Sequence, residues 1–316
     1  MRSAIILAAG KGTRMKSALN KVMHPVSNKP MIGHIVCSLR KAGVDNIVVV
    51  VGHGAESVRE YLGDSVRYAV QEPQLGTGHA VMQAQCLADL DGDTLILNGD
   101  GPCIQSETID RVFAANADSE MTVLTAVLPD GERYGRIIRN AEGYVERIVE
   151  AKDCTPQELA VTEINTGIFC FKNRLLFAHL KEIRNDNAQQ EYYLTDLVAI
   201  FNQCGLRVNA LVADDPQETM GVNDRIDLAK AQKWMTRHEC ERHMRNGVTI
   251  IDPETVYIDV GVKIGTDTVI YPNVIIQGDT VIGERVTILS NSFLRNAVIA
   301  DEVSIDSSKI VESSVG

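Results

Sequence analysis

A chain of 316 residues is long enough for two domains, and its formal net charge of −11 speaks against nonspecific binding to nucleic acid or to anionic membranes. No apolar run approaches the ~20 residues that cross a bilayer, and the first residues turn polar too early for a signal peptide, so stable membrane insertion is not expected. Seven scattered cysteines with no CxxC pair argue against a disulfide framework and against a zinc site, and for a reducing, cytoplasmic setting.

The charge is unevenly spread. Residues 1–44 hold no Asp or Glu but eight cations (Arg2, Lys11, Arg14, Lys16, Lys21, Lys29, Arg40 and Lys41), which leaves −19 on the rest. A purely basic segment in an acidic protein reads either as reserved for an anion or as chance clustering on a solvated face, and the charge pattern alone does not choose between them. The chain opens with a strand over 4–7 and a turn over 10–12. A helix over 30–42 closed by Gly43, a buried strand over 46–51, a helix over 55–62 and a strand over 66–70 come next. Helix 79–90, strand 94–97 and helix 106–115 continue the alternation, which implies an α/β, Rossmann-like, mostly parallel sheet with ligands at the carboxyl ends of its strands. Two of those ends carry the glycine-rich turn after residue 7 and Asn98-Gly99-Asp100 after Leu97.

Short alternating strands over 134–139 and 144–152, with another over 164–171, predict a β-rich insertion forming the second wall of a cleft. A long helix over 224–245 ends at Gly247. Ile258, Ile264, Ile270, Ile276, Ile282, Ile288 and Leu294 then fall six residues apart, and the phase slips by one at Ile299 and Ile305. That period predicts a short left-handed parallel β-helix of hexapeptide repeats, roughly three coils long. The last residues show no cap of the kind solenoids need, as expected of a shortened form. The expected division is 1–222, a linker helix over 223–247, and 248–316.

The opening turn lacks the Gly-Lys-Ser/Thr of a P-loop, and Met15 stands where a dinucleotide fingerprint needs glycine. There remain backbone amides freed by Gly10 and Gly12, a helix start, and Arg14 and Lys21 in reach: an anion nest. LAAGKGTRMKS with Lys21 resembles the signature of sugar-1-phosphate nucleotidylyltransferases. QLGTGHA (74–80), GDGP (99–102), YGRIIR (134–139), RIVEAKD (147–153), EINTGIF (163–169), EYYLTD (191–196) and GVNDR (221–225) succeed it in that family's order. With the hexapeptide tail, the whole chain resembles the bifunctional bacterial family that joins N-acetylglucosamine-1-phosphate uridylyltransferase to glucosamine-1-phosphate acetyltransferase.

The resemblance implies Mg²⁺-dependent conversion of UTP and N-acetylglucosamine 1-phosphate to UDP-N-acetylglucosamine and pyrophosphate, a step toward cell-wall precursors. It implies catalytic roles for Arg14 and Lys21, Mg²⁺ ligation by Asp100 and Asn223, and nucleotide contacts along Leu7, Ala8, Ala9 and Gly10. Uracil recognition maps to Gln71, Gly76 and Thr77, and the sugar side to Gly135, Glu150, Asn165 and Thr195, with Asn98 and Gly99 also implied to bind substrate. His24, His53 and His79 read as structural. Asn20 stands where the family usually has proline, which is expected to loosen the loop carrying Lys21. The β-helix implies a homotrimer. The family's acetyltransferase site lies in later coils, so no acetyl transfer is expected of these 316 residues. Enzymes making UDP-glucose, dTDP-glucose or ADP-glucose are rival readings, as is a non-catalytic sugar-nucleotide sensor.

Overall fold

A computed structural model describes every residue from Met1 to Gly316 except Glu132 and Ala188. The chain divides into two compact units, Met1–His24 with Met31–Asp224, and Pro25–Pro30 with Arg225–Gly316.

The first unit contains β1 (Arg2–Ala8), α1 (Met31–Lys41), β2 (Asn46–Val51), α2 (Ala55–Leu62), β3 (Arg67–Val70), α3 (Thr77–Met82), β4 (Asp93–Asn98) and α4 (Ser106–Ala115). Then come β5 (Met121–Val127), β6 (Arg136–Arg139), β7 (Val145–Val149), α5 (Pro156–Leu159), β8 (Glu163–Lys172), α6 (Asn173–His179), α7 (Asp196–Gln203) and β9 (Val208–Val212). The main sheet runs β9-β5-β8-β4-β1-β2-β3. All neighbours are parallel except β8, which is antiparallel to both β4 and β5. The β6–β7 hairpin joins the edge of β8 at Arg136 and Ile164.

Strand alternation builds one core on each face. Ala4, Ile6 and Ala8 of β1, with Val49 and Val51 of β2, pack under α1, α2 and α4. Ile5 of β1, with Val48 and Val50 of β2, packs with α3, α6 and α7 on the other side. Being covered on both faces is what makes β1 and β2 read as continuous aliphatic runs.

The helix expected over 79–90 is shorter. α3 stops at Met82, Ala84 leaves helical geometry (φ −81°, ψ 37°), and a 3₁₀ turn spans Gln85–Leu87. Leu87 thereby turns fully inward. Buried Asn173 donates Nδ2 to the carbonyls of Leu87 and Leu90, 2.7 Å each, replacing the bonds a longer helix would have made.

The second unit combines a two-stranded piece (Pro25–Val26 with Lys29–Pro30), α8 (Arg225–Arg245) and three parallel sheets of four short strands each. The sheets are the faces of the left-handed β-helix, and Ile258, Ile270, Ile276, Ile282, Ile288 and Leu294 stack inside it, at most 2% exposed. Four strands per face correct the expected three coils. The first coil, at Thr249–Ile250, sits outside the six-residue period because its corner to Tyr257–Ile258 is longer. The phase slip is a shortening of successive coils: Ile275 pairs with Phe293, but Val281 with Val298 and Phe293 with Lys309.

Candidate active site

β1 and β4 lie side by side in register, Leu7 opposite Asn98, and the amide of Gly99 still donates to the Leu7 carbonyl at 2.8 Å. Their carboxyl ends therefore open at one place. There the end of β1 and the chain after it line a cleft of about 450 Å³ with Leu7, Ala8, Ala9, Gly10, Arg14 and Lys21. The loop leads into a single 3₁₀ turn, Thr13–Met15, rather than the helix expected there. Gly12 must be glycine: its φ is +59°, and a Cβ would sit 2.5 Å from Cβ of Lys21. The glycine loop is thus the bed on which the stem of Lys21 lies.

Lys21 reaches two oxygens. Its Nζ is 2.5 Å from Asp100 Oδ2 and 3.1 Å from Asn223 Oδ1. Arg14 donates Nη2 to the same Asn223 oxygen at 2.8 Å. Val222 N–H donates to the Asp100 carbonyl at 2.9 Å, which holds the Gly221–Asn223 segment against the end of β4. Both oxygens expected to bind a metal already face one cation, a donor set suited to a hard divalent ion.

Asn20 does not loosen this loop; it fixes it. The residue is 7% exposed, its Oδ1 accepts from Val22 N–H at 3.1 Å, and its Nδ2 donates to the His53 carbonyl at 2.7 Å. Its backbone (φ −54°, ψ 140°) is one that proline also adopts, so asparagine keeps the geometry and adds a side-chain anchor.

At the other end of the same cleft Gln71 is buried, and its Nε2 donates to Gly76 O at 2.9 Å and lies 3.2 Å from His79 Nδ1. The amide nitrogen is thus turned toward Gly76 and His79, which leaves Oε1 as what Gln71 offers the cleft. Gly76 has φ +102°, and a Cβ there would lie 2.6 Å from the Tyr192 carbonyl. Gly78 N–H donates to Tyr192 O at 2.8 Å and Leu194 N–H to Thr77 Oγ1 at 3.0 Å. The QLGTGHA and EYYLTD segments are therefore laced together.

A second cleft of about 540 Å³ adjoins the first through Leu7, Thr77 and Asn98, and is also lined by Glu150, Asn165 and Thr195. Burial pushes the Glu150 carboxyl above the ordinary carboxylate range, with Lys152 opposing. Asn165 Oδ1 accepts from Gly167 N–H at 2.9 Å. Gly135 and Gly99 lie behind the walls: a Cβ on Gly135 would be 3.7 Å from Glu150 Oε1, and one on Gly99 3.0 Å from the Leu7 carbonyl.

Of the eight N-terminal cations only Arg14 and Lys21 line either cleft. Arg2 begins β1 at the opposite edge of the sheet and pairs with Asp110, and Arg40 is spent on the carbonyls of Val44, Asp45 and Ser65. Sequence reasoning missed Gln74, Glu191, Lys152 and Tyr193, which line the clefts, although all four lie inside the family's motifs. Arg133 and Gln189 also line the second cleft, and no motif marks them.

The profile of the nucleotidyl transferase family matches residues 3–219, and that of the bacterial transferase hexapeptide (six repeats) matches residues 261–296. The chain belongs to the nucleotidyl transferase family. The bifunctional protein GlmU of Latilactobacillus sakei is 51% identical over 98% of this chain and 68% of its own length. Proteins of the same name from Geobacillus thermodenitrificans and Listeria monocytogenes are 50% and 48% identical over the whole of this chain, with 69% and 70% of their own length matched. Within its family the chain groups with these GlmU proteins and spans about two thirds of their length. A solved structure named a glucose-1-phosphate thymidylyltransferase from Bacillus anthracis shares the fold, with a TM-score of 0.59 at 22% identity over 73% of this chain and 94% of that one.

Proposed function

We propose that the chain is a uridylyltransferase making UDP-N-acetylglucosamine and pyrophosphate from UTP and N-acetylglucosamine 1-phosphate. The observation that carries the reading is the convergence of Arg14, Lys21, Asp100 and Asn223 where the glycine loop meets the end of β4. A phosphate oxygen of the sugar phosphate attacks the α-phosphorus in line; a new P–O bond forms as the bond to the β-phosphate oxygen breaks and pyrophosphate leaves. The nucleophile is already an anion, so no general base is required. The barrier is repulsion between two polyanions, and the remedy is positioning with fixed positive charge.

Ala8, Ala9 and Gly10 let the triphosphate approach the backbone, and Arg14 and Lys21 set their charge against it. Asp100 and Asn223 would hold Mg²⁺ through a carboxylate and a carboxamide oxygen, which supplies further charge neutralisation when bound. Gln71 Oε1 accepts the N3–H of uracil, and the Gly76–Thr77 backbone frames the base. In the second cleft Glu150, Asn165 and Thr195 hold the sugar hydroxyls and the acetamido group, with the Gly135 backbone on the same side. Seven cysteines outside any disulfide and a nucleotide substrate suit the cytoplasm, and the hexapeptide repeats support a homotrimer.

The test is pyrophosphate release by the 316-residue chain with Mg²⁺, for each pairing of UTP, dTTP and ATP with N-acetylglucosamine 1-phosphate and glucose 1-phosphate. Turnover is expected to be fastest with UTP and the N-acetylated sugar. A preference for another pair would reassign the substrate, and binding without turnover would leave a sensor.

A further inference from the structure

His179, Glu182 and Cys204 belong to none of the sequence motifs and line neither cleft, yet the fold brings them together. His179 ends α6, Glu182 ends the 3₁₀ turn Leu180–Glu182 directly after it, and Cys204 is the residue after α7. One donor atom of each lies within 4.8 Å of the other two, the one such group of three among the described residues. His179 Nδ1 is 3.0 Å from Glu182 Oε1.

The scaffold beneath is closely packed. The His179 ring packs 5.4 Å from Phe201, which is fully buried and edge-on to Phe171 at 5.7 Å. The Cys204 amide is shared between the carbonyls of Ile200 and Phe201, 3.1 Å each. Phe201 therefore fixes both the imidazole and the backbone that carries the thiol.

We propose that His179, Glu182 and Cys204 bind one Zn²⁺ and tie the end of α6 to the end of α7. An imidazole nitrogen, a thiolate and a carboxylate are the donors of a borderline-soft divalent ion, unlike the oxygen pair at Asp100 and Asn223. Tetrahedral Zn²⁺ with bonds of about 2.0–2.3 Å places its donors about 3.5 Å apart. Closing the group takes a rotamer adjustment of Glu182 and Cys204, both at the surface. The thiol proton goes to solvent as the S–Zn bond forms, and water completes the fourth position. The cysteine spacing argued against zinc because it tests only ligands close in sequence; these three span residues 179–204.

The full chain, freed of metal and titrated with Co²⁺ and then Zn²⁺, tests the assignment. Expected are one equivalent bound, a thiolate-to-cobalt charge-transfer band that Zn²⁺ abolishes, and a higher Tm with Zn²⁺. Cys204→Ser and His179→Ala should each remove the band and the Tm shift while pyrophosphate release is kept, which shows that the variants fold. Cys86→Ser, at another exposed cysteine, should retain both. A band that survives Cys204→Ser, or wild-type protein that shows no band, overturns the proposal.

Discussion

The ammonium of Lys21 lies 2.5 Å from the Asp100 carboxylate across 79 residues of sequence, with side chains only 13% and 20% exposed. The pair holds opposite charges together in the cleft, and the same lysine also reaches Asn223. Asp100→Ala is expected to abolish Mg²⁺-dependent pyrophosphate release while leaving the far-UV circular dichroism unchanged, because no core residue is touched. Lys21→Ala should lower kcat by about 10²–10³, the cost of one preorganised charge in the transition state. Steady-state rates near wild type in either variant would remove that residue from the chemistry.

Asn20 offers a sharper test, because it lines neither cleft and stands next to Lys21 in the chain. Asn20→Ala removes the cap on Val22 N–H and the bond to the His53 carbonyl. A loss of about 1–2 kcal/mol is expected, with a fall in kcat/KM of about tenfold or more as Lys21 loses its position. Asn20→Pro keeps the backbone at φ −54° and should stay within a few-fold of wild type in rate. Urea unfolding and kcat/KM measured on both variants decide whether backbone or side chain positions the lysine.

Much of this was legible in the sequence where one physical demand dominates locally. Continuous burial gave β1 and β2 their aliphatic runs, and inward stacking gave the β-helix its six-residue period. Strand β5 was hidden because Thr122 and Thr125 break its apolar run, although both are fully buried and bonded, Thr122 to Asn116 and Thr125 to Glu163. The N-terminal cations divide between the two readings their charge allowed, because composition cannot tell which end of a strand a side chain occupies; Arg14 and Lys21 line the cleft, while Arg2 sits at the opposite edge of the sheet on Asp110. The anchoring role of Asn20 is invisible in the local sequence because its partner, the carbonyl of His53, lies 33 residues away.

The β-helix core can be probed at Ile276, which is fully buried and pairs with Ile258 on one side and Leu294 on the other. Ile276→Ala leaves a cavity that stacked coils cannot collapse, so a loss of about 2–5 kcal/mol is expected. Because the two units have separate cores, the change should lower the unfolding midpoint reported by Trp234, the single tryptophan, located in α8. It should leave the rate of pyrophosphate release at low temperature nearly unchanged. An unshifted Trp234 transition would show that the coils are not packed as described.

His243 gives the same unit a dependence on acid. It is 2% exposed, its Nε2 is 2.9 Å from Nη2 of Arg242, and burial with that neighbouring charge pushes its pKa down to about 4 from 6.5. Between those two values the unfolded chain carries a proton on this imidazole and the native chain does not, so stability rises with pH across the window and is lost as pH falls from 6.5 toward 4. The full span is worth up to about 3 kcal/mol. Asp259, whose carboxyl burial raises, titrates in the opposite sense in the same unit, so the measurement must be a difference. Urea midpoints followed by Trp234 fluorescence should fall more steeply with acid in wild type than in His243→Gln, and the two curves should converge toward about pH 4. Parallel curves would mean that His243 takes up its proton inside the folded unit at no cost.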